Sequence, residues 1–249
     1  MTPAETEAMF EAEEHHWWYV GMREIVRALL AAEGLPEDAR STTLDAGCGT
    51  GFNLTGFGRR AIGVDASERA LELCRARGLD NTRLASVEAL PFEVETFDRV
   101  FSLDVLSDAG VRDDALAVRE LARVLRPGGY LVVRVPALEA LRRAHDRAVE
   151  TRRRYTRTGL CRLLEQSGLH VLRCTYCNTL LLPLVAARAV SDRVQRGPAR
   201  SDLGASPRIV GRALATCLRL EASLLARWDF PLGTSLVAIA VKRRVSALA

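Results

Sequence analysis

One stretch constrains this chain more than any other: Leu44-Asp45-Ala46-Gly47-Cys48-Gly49-Thr50-Gly51. It directly follows a β-branched and apolar strand candidate and opens a helix candidate. Closely spaced glycines let the backbone turn tightly and approach a ligand with no Cβ in the way. A nicotinamide-dinucleotide fingerprint would read GxGxxG. Here the spacing is GxGxG, with Phe52 where the third glycine would fall, and no Gly-Lys-Ser/Thr follows to make a P-loop.

The rest of the chain supplies the frame for that loop. Short apolar runs at Thr43–Ala46, Ala61–Asp65, Thr82–Ser86, Phe97–Leu103 and Gly129–Val135 predict strands. Helices are predicted between them at 51–58, 67–77 and 112–125. This alternation points to a parallel sheet with helices on both faces. Before it, Met22, Ile25, Val26, Leu29 and Leu30 follow helical spacing, predicting one helical segment over 5–33 that Gly34-Leu35-Pro36 ends. After it come an Arg-rich stretch, Leu141 to Arg157, and a helix over 159–167 with Thr158 as N-cap and Gly168 as C-cap. A sixth strand is expected at Leu169–Tyr176 and a seventh at Ser235–Val241. Between these two strands lie an apolar helix (about 180–195), a linker (197–207) and an amphipathic helix (about 208–227).

Composition excludes several classes. The chain has 249 residues, 48% hydrophobic and 27% charged, enough for a large α/β core and unlike a disordered or fibrous chain. The longest apolar run, Leu180 to Ala187, contains Pro183, whereas a membrane span needs roughly 20 residues. The acidic N-terminus (Glu5, Glu7, Glu11, Glu13, Glu14) is not a secretory signal. A net charge of +4 demands no nucleic-acid partner, and Lys242 is the only lysine among 35 basic residues. Six cysteines in a chain of this length read as reduced cytosolic thiols. Cys174 and Cys177 form a lone CxxC with no second pair for zinc, and read as structural.

Further motifs accompany the glycine loop. Gly63-Val64-Asp65 ends the next strand, where a carboxylate can accept from both hydroxyls of a ribose. The plainer reading of Asp65 is a turn or cap residue, a task that Ser67 could take instead. Then come Ser86-Val87-Glu88-Ala89-Leu90-Pro91-Phe92, Phe97-Asp98-Arg99-Val100-Phe101-Ser102-Leu103, and the turn device Leu125-Arg126-Pro127-Gly128-Gly129.

In this order and spacing, these parts resemble the class I S-adenosylmethionine-dependent methyltransferases, and more narrowly the small-molecule branch related to the ubiquinone and menaquinone methylases. The resemblance covers roughly 40–176. His16-Trp17-Trp18-Tyr19 with Arg23, and Arg153-Arg154-Tyr155-Thr156-Arg157, resemble segments of a bacterial subgroup.

The resemblance implies an α/β, Rossmann-like sheet of seven strands, order 3-2-1-4-5-7-6, with strand 7 antiparallel. It divides the chain into an N-terminal helical lid (1–39), a cofactor-binding core (40–176 plus 234–249) and a helical insertion (177–233). It implies S-adenosylmethionine as cofactor, with S-adenosylhomocysteine as product. Asp45, Ala46, Gly47, Gly49 and Gly51 would wrap its methionine and ribose, and Asp65 would bind the ribose hydroxyls. Ala66, Val87 and Glu88 would lie by the adenine, and Leu103 near the sulfonium. The aromatics Trp17, Trp18 and Tyr19 either anchor their helix in the core or form a lid, in which Trp18 and Arg23 would face the cofactor and Arg23 would pair its carboxylate.

Two departures stand out. The adenine-edge position, often Asp, is Ser86. After strand four, where relatives often read Leu-Glu-His, this chain reads Leu106-Ser107-Asp108. The catalytic base then falls to His145 or Asp108, each of which also reads as a surface or turn residue. No metal is expected, because His, Asp and Glu do not cluster at ligand spacing.

The acceptor reads as a small molecule, apolar or anionic, with the Arg142–Arg157 run at its pocket mouth or simply on a solvated helix face. The run lacks interleaved aromatics beyond Tyr155, which argues against RNA. The insertion's apolar faces would be buried on the sheet edge, on a second subunit in a homodimer, or over the acceptor. The expected function is methyl transfer to O, N or C of a small molecule in a cytoplasmic biosynthetic setting. Methylation of a macromolecule, or a cofactor-retaining cyclase or binding protein, are the rivals.

Overall fold

In the computed structural model, residues 2–35, 38, 40–195 and 207–244 are described. The expected linker at 197–207 lies outside them except for Pro207. Seven strands form one sheet: β1 (Thr43–Ala46), β2 (Ala61–Asp65), β3 (Thr82–Leu84), β4 (Phe97–Leu103), β5 (Leu125–Pro136), β6 (Leu169–Cys177) and β7 (Ser235–Lys242). Their order is β3-β2-β1-β4-β5-β7-β6. The first five pair in parallel, and β7 runs antiparallel to both neighbours. This is the sheet of the class I methyltransferase fold.

β1 sits at the centre, so the chain that leaves it emerges where the strand order reverses. Ligands bind at that point in open α/β sheets. Asp45 lies opposite Gly63 and Ala46 opposite Val64, which brings the ends of β1 and β2 level. The Pro127-Gly128-Gly129 turn is contained within β5. Phe97 pairs with Leu125 and Arg99 with Tyr130, so the strand bulges between them.

Two cores cover the two sheet faces. Side chains alternate along a strand, so Leu131 and Val133 enter one core while Tyr130 and Val132 enter the other. The first core takes α5 (Asp114–Val124) and α7 (Arg157–Gln166). The second takes α2 (Trp17–Ala32), α3 (Leu54–Phe57), α4 (Glu68–Ala76) and α9 (Arg208–Leu225). Arg99 is 2% exposed and donates to the Thr43 hydroxyl and the Phe57 carbonyl, tying β4 to β1 and α3.

Several expectations need correction. The expected helix over 5–33 is two helices, α1 (Pro3–Ala12) and α2, because the His16 ring accepts from Trp18 N and starts a new helix. Thr156, not Thr158, caps α7, accepting from Gly159 N at 3.2 Å. Cys174 and Cys177 enter opposite cores, so they do not act as a pair.

The arginine run is not one solvated helix face. It spans a 3-10 turn (Glu139–Leu141), the short α6 (Ala144–Ala148) and an extended stretch, and several of its guanidiniums turn inward. Arg154 pairs with Asp146 at 2.8 Å, both side chains under 7% exposed, and Arg153 with Asp114 at 2.6 Å.

The described helices of the expected 177–233 insertion differ in how they are covered. The face of α9 bearing Leu218, Ala222 and Leu225 is buried with α2 in the second core. Gly21 of α2 faces Leu218 so closely that a Cβ there would collide with it. α8 (Leu182–Gln195) is less covered. Ala189 is buried, while Leu184 and Val190 are exposed.

Candidate cofactor site

The loop after β1 is held by the strand beside it. Gly47 N and Cys48 N both donate to the Val64 carbonyl, at 2.7 and 2.9 Å. Gly47 has φ +86°, and a Cβ there would run into Val105. Gly49 has φ +54°, and a Cβ there would lie 2.8 Å from Met9 Cε of α1. Both positions need glycine for conformation, and Gly47 needs it for space as well. Gly51 backs onto Cys74 of α4.

Two carboxylates stand at the strand ends. Asp65 accepts from Gly49 N and from Ser67 N, each at 2.8 Å, so it buttresses the loop. Ser67 caps α4, accepting from Ala70 N. Burial raises the Asp65 pKa, and the two backbone bonds oppose that. Asp45 is different. It is 1% exposed, and neither oxygen has a hydrogen-bond partner among the described residues. Burial first, then the charges of Asp65 and Glu13, push its pKa up to about 7, with Arg134 opposing. A buried carboxylate left this way is costly unless a donor or cation joins it. An α-ammonium group answers that need, and the positive-φ glycines let the loop backbone turn beside it. The residues present therefore fit S-adenosylmethionine.

The remaining expected contacts differ in burial and in what holds them. Ala66 is exposed and Val87 is buried in the first core. Glu88 accepts from Asp113 N at 2.8 Å and so is tied to the start of α5. Ser86 accepts from Glu88 N. Asp108 accepts from Gly110 N in a tight turn and bridges to Thr151, and His145 sits on α6.

The N-terminal helices close over the loop. Glu13 is 6% exposed and accepts from the Thr50 hydroxyl and from Arg77. Arg77 also donates to the carbonyls of Thr50 and Phe10. Arg23 donates to the carbonyls of Glu13 and Glu14 and lies 4.4 Å from the Phe52 ring centre. Trp18 lies beneath the Arg134 guanidinium at 4.9 Å. Arg134 pairs with Asp104 at 2.6 Å.

Sequence reasoning missed Glu13, Thr50, Arg77, Asp104 and Arg134. Only Arg134 carried a signal, as a charge inside the apolar strand Leu131–Val135. Among the described residues, no group of three His, Cys, Asp or Glu stands ready to hold a metal, and no helix is long and apolar enough to cross a membrane.

Comparison with known proteins agrees with this geometry. Residues 44–133 match the family described as a methyltransferase domain. A ubiquinone biosynthesis O-methyltransferase of Methylocella silvestris is 34% identical over 125 residues, 44% of this chain and 48% of that protein. A tRNA U34 carboxymethyltransferase of Pseudoalteromonas translucida is 39% identical over 110 residues, 39% of this chain and 33% of that one. The chain thus spans about half the length, or less, of these curated relatives. A solved Thermotoga maritima methyltransferase, described as a possible histamine N-methyltransferase, shares the fold over 96% of both chains, with TM-score 0.59 and 18% identity. Over residues 44–133 this chain therefore matches the methyltransferase-domain family, on a sheet of the class I fold.

Proposed function

We propose that this protein transfers a methyl group from S-adenosylmethionine to O, N or C of a small-molecule acceptor. The observation that carries the reading is the buried Asp45 carboxylate, unpartnered among the described residues at the head of a loop whose Gly47, Gly49 and Gly51 all take positive φ. S-adenosylmethionine supplies a methyl group already activated on a sulfonium. What the chain must add is binding, orientation, exclusion of water and removal of a proton where the acceptor needs it.

Asp45 takes the α-ammonium, and the loop Gly47–Gly51 lies along the methionine and ribose. Asp65, fixed by Gly49 N and Ser67 N, offers its remaining lone pairs to the ribose hydroxyls. Leu103, Trp18 and Arg23 border the reacting end. α1 excludes water by lying over Gly49 through Met9. His145 and Asp108 remain our candidates for the base. The six cysteines, none of them in a disulfide, suit a reducing, cytoplasmic setting.

Calorimetry with S-adenosylhomocysteine tests the reading. We expect binding, weakened by ~1–3 kcal/mol in Asp65→Ala, the range for hydrogen bonds to a charged group. Tight NAD binding with no S-adenosyl ligand binding would sink it. A nucleic-acid acceptor is the second reading, favoured by the relative that acts on tRNA U34. Methyl incorporation into bulk tRNA, and none into a panel of small hydroxylated or amino acceptors, would decide for it.

A further inference from the structure

A cavity of about 60 Å³ opens between α2 and α3, beside the cofactor loop. Arg23 and Arg27 of α2 and Arg134 of β5 line it, over an apolar wall that includes Phe57, Phe101 and Leu103. Phe57 and Phe101 stack with ring centres 4.3 Å apart. That space holds about two waters, or one carboxylate or phosphate group.

Its charge is one-sided. Arg134 is 6% exposed and pairs with Asp104. Glu13 is turned to Thr50 and Arg77, and Arg23 bonds carbonyl oxygens. Burial lowers the Arg23 pKa, and the charges of Arg27 and Arg134 lower it further, against the pull of Glu13. Arg27 reaches across toward α3, its Nη2 lying 3.6 Å from where a Cβ on Gly56 would be. Three guanidiniums line a small, apolar-walled space, and with Arg134 paired to Asp104 the positive charge of Arg23 and Arg27 makes an anion site. Such groups bind carboxylate and phosphate through charge-assisted hydrogen bonds that a dry wall strengthens.

We propose that this cavity seats an anionic group, a carboxylate or a phosphate, carried by the methyl acceptor. The assignment rests on the methyl-transfer reading and narrows it to an acidic substrate. The cofactor's own carboxylate is the other source of the same chemistry. Against it, none of Asp45, Gly47, Gly49 and Gly51 lines the cavity, although the cofactor's amino and carboxylate groups share one carbon. Leu103 is common to the cavity wall and to the expected neighbourhood of the sulfonium. An acceptor anchored here therefore has its reactive part within reach of the methyl.

The test is an NMR titration of the full chain, saturated with S-adenosylhomocysteine, using benzoate, phenyl phosphate and the neutral benzamide. Benzoate or phenyl phosphate should bind about tenfold or more tighter than benzamide, as expected where charge-assisted bonds replace neutral ones. Arg27→Gln should weaken the anion about fivefold or more and leave S-adenosylhomocysteine within about twofold. Equal binding of benzoate and benzamide overturns the proposal. So does competition between benzoate and S-adenosylhomocysteine, or an Arg27→Gln variant that loses both ligands alike, because either assigns the cavity to the cofactor carboxylate. A chain that binds no S-adenosylhomocysteine overturns the methyl-transfer reading instead. Benzoate titration of the ligand-free protein then decides the anion site by itself.

Discussion

Arg77, at the end of α4, donates to the Glu13 carboxylate at 2.7 Å, with side chains 15% and 8% exposed. The pair joins the end of the N-terminal helix to the helix that follows β2, directly over the glycine loop. Arg77→Met should leave Glu13 buried with only Thr50 for company. Breaking a buried pair from one side costs about 3–5 kcal/mol. α1 makes few other contacts with the core, so the loss should appear as local opening. Hydrogen exchange in residues 3–12 should rise sharply while the global unfolding midpoint moves little. Unchanged exchange there would mean that the pair does not hold α1.

With Asp45 as the ammonium partner proposed above, cofactor affinity should depend on pH. Its folded pKa is raised from 3.8 to about 7. In the window between those values the folded protein keeps a proton that the unfolded chain has released. Stability from this group is therefore greatest at low pH and falls as pH rises toward 7. Binding an ammonium group requires the ionised form, so affinity moves the other way. S-adenosylhomocysteine should bind about tenfold tighter at about pH 8 than at about pH 6. Calorimetry across that range checks it, and Asp45→Asn should bind weakly with a flat profile.

Gly47→Ala should destabilise the protein by about 1–3 kcal/mol, from the positive φ and from overpacking against Val105. Adding Val105→Ala should recover the packing part and leave the conformational part. If the double variant is no more stable than the single one in urea unfolding, Val105 is not the neighbour that matters.

Arg154→Met should cost about 3–5 kcal/mol, because it leaves Asp146, which is 1% exposed, without its guanidinium partner. A change under about 0.5 kcal/mol, the usual surface value, would return Arg154 to the solvent-facing role that its arginine-rich neighbourhood suggests.

That last case shows where the sequence stops being readable. The strands were legible because apolar runs and their Gly and Pro punctuation are local, and β2 and β4 begin and end where the pattern predicts. The glycine loop was legible because its residue types have few other uses. The arginine run was not. Its partners, Asp146 and Asp114, are ordinary acidic residues, one within the run and one far upstream, and only the fold brings them to the guanidiniums. The break between α1 and α2 carries no Gly or Pro. It depends on His16 accepting from Trp18 N, a cap that spacing does not announce. Glu13 read as one more acid in an acidic terminus, although it accepts from the Thr50 hydroxyl of the loop.

β7 has a consequence for how the chain is assembled. It lies between β5 and β6, which do not pair with each other. Val241 meets Tyr130 on one side and His170 on the other. Both neighbours leave the ribosome before β7 does. During synthesis each waits with an unpaired edge, and open edges invite pairing with other chains. The sheet closes only through contacts far apart in sequence, which form slowly. The last strand acts as a keystone, and damage to Ser235–Lys242 would leave β6 detached from a sheet that is otherwise complete.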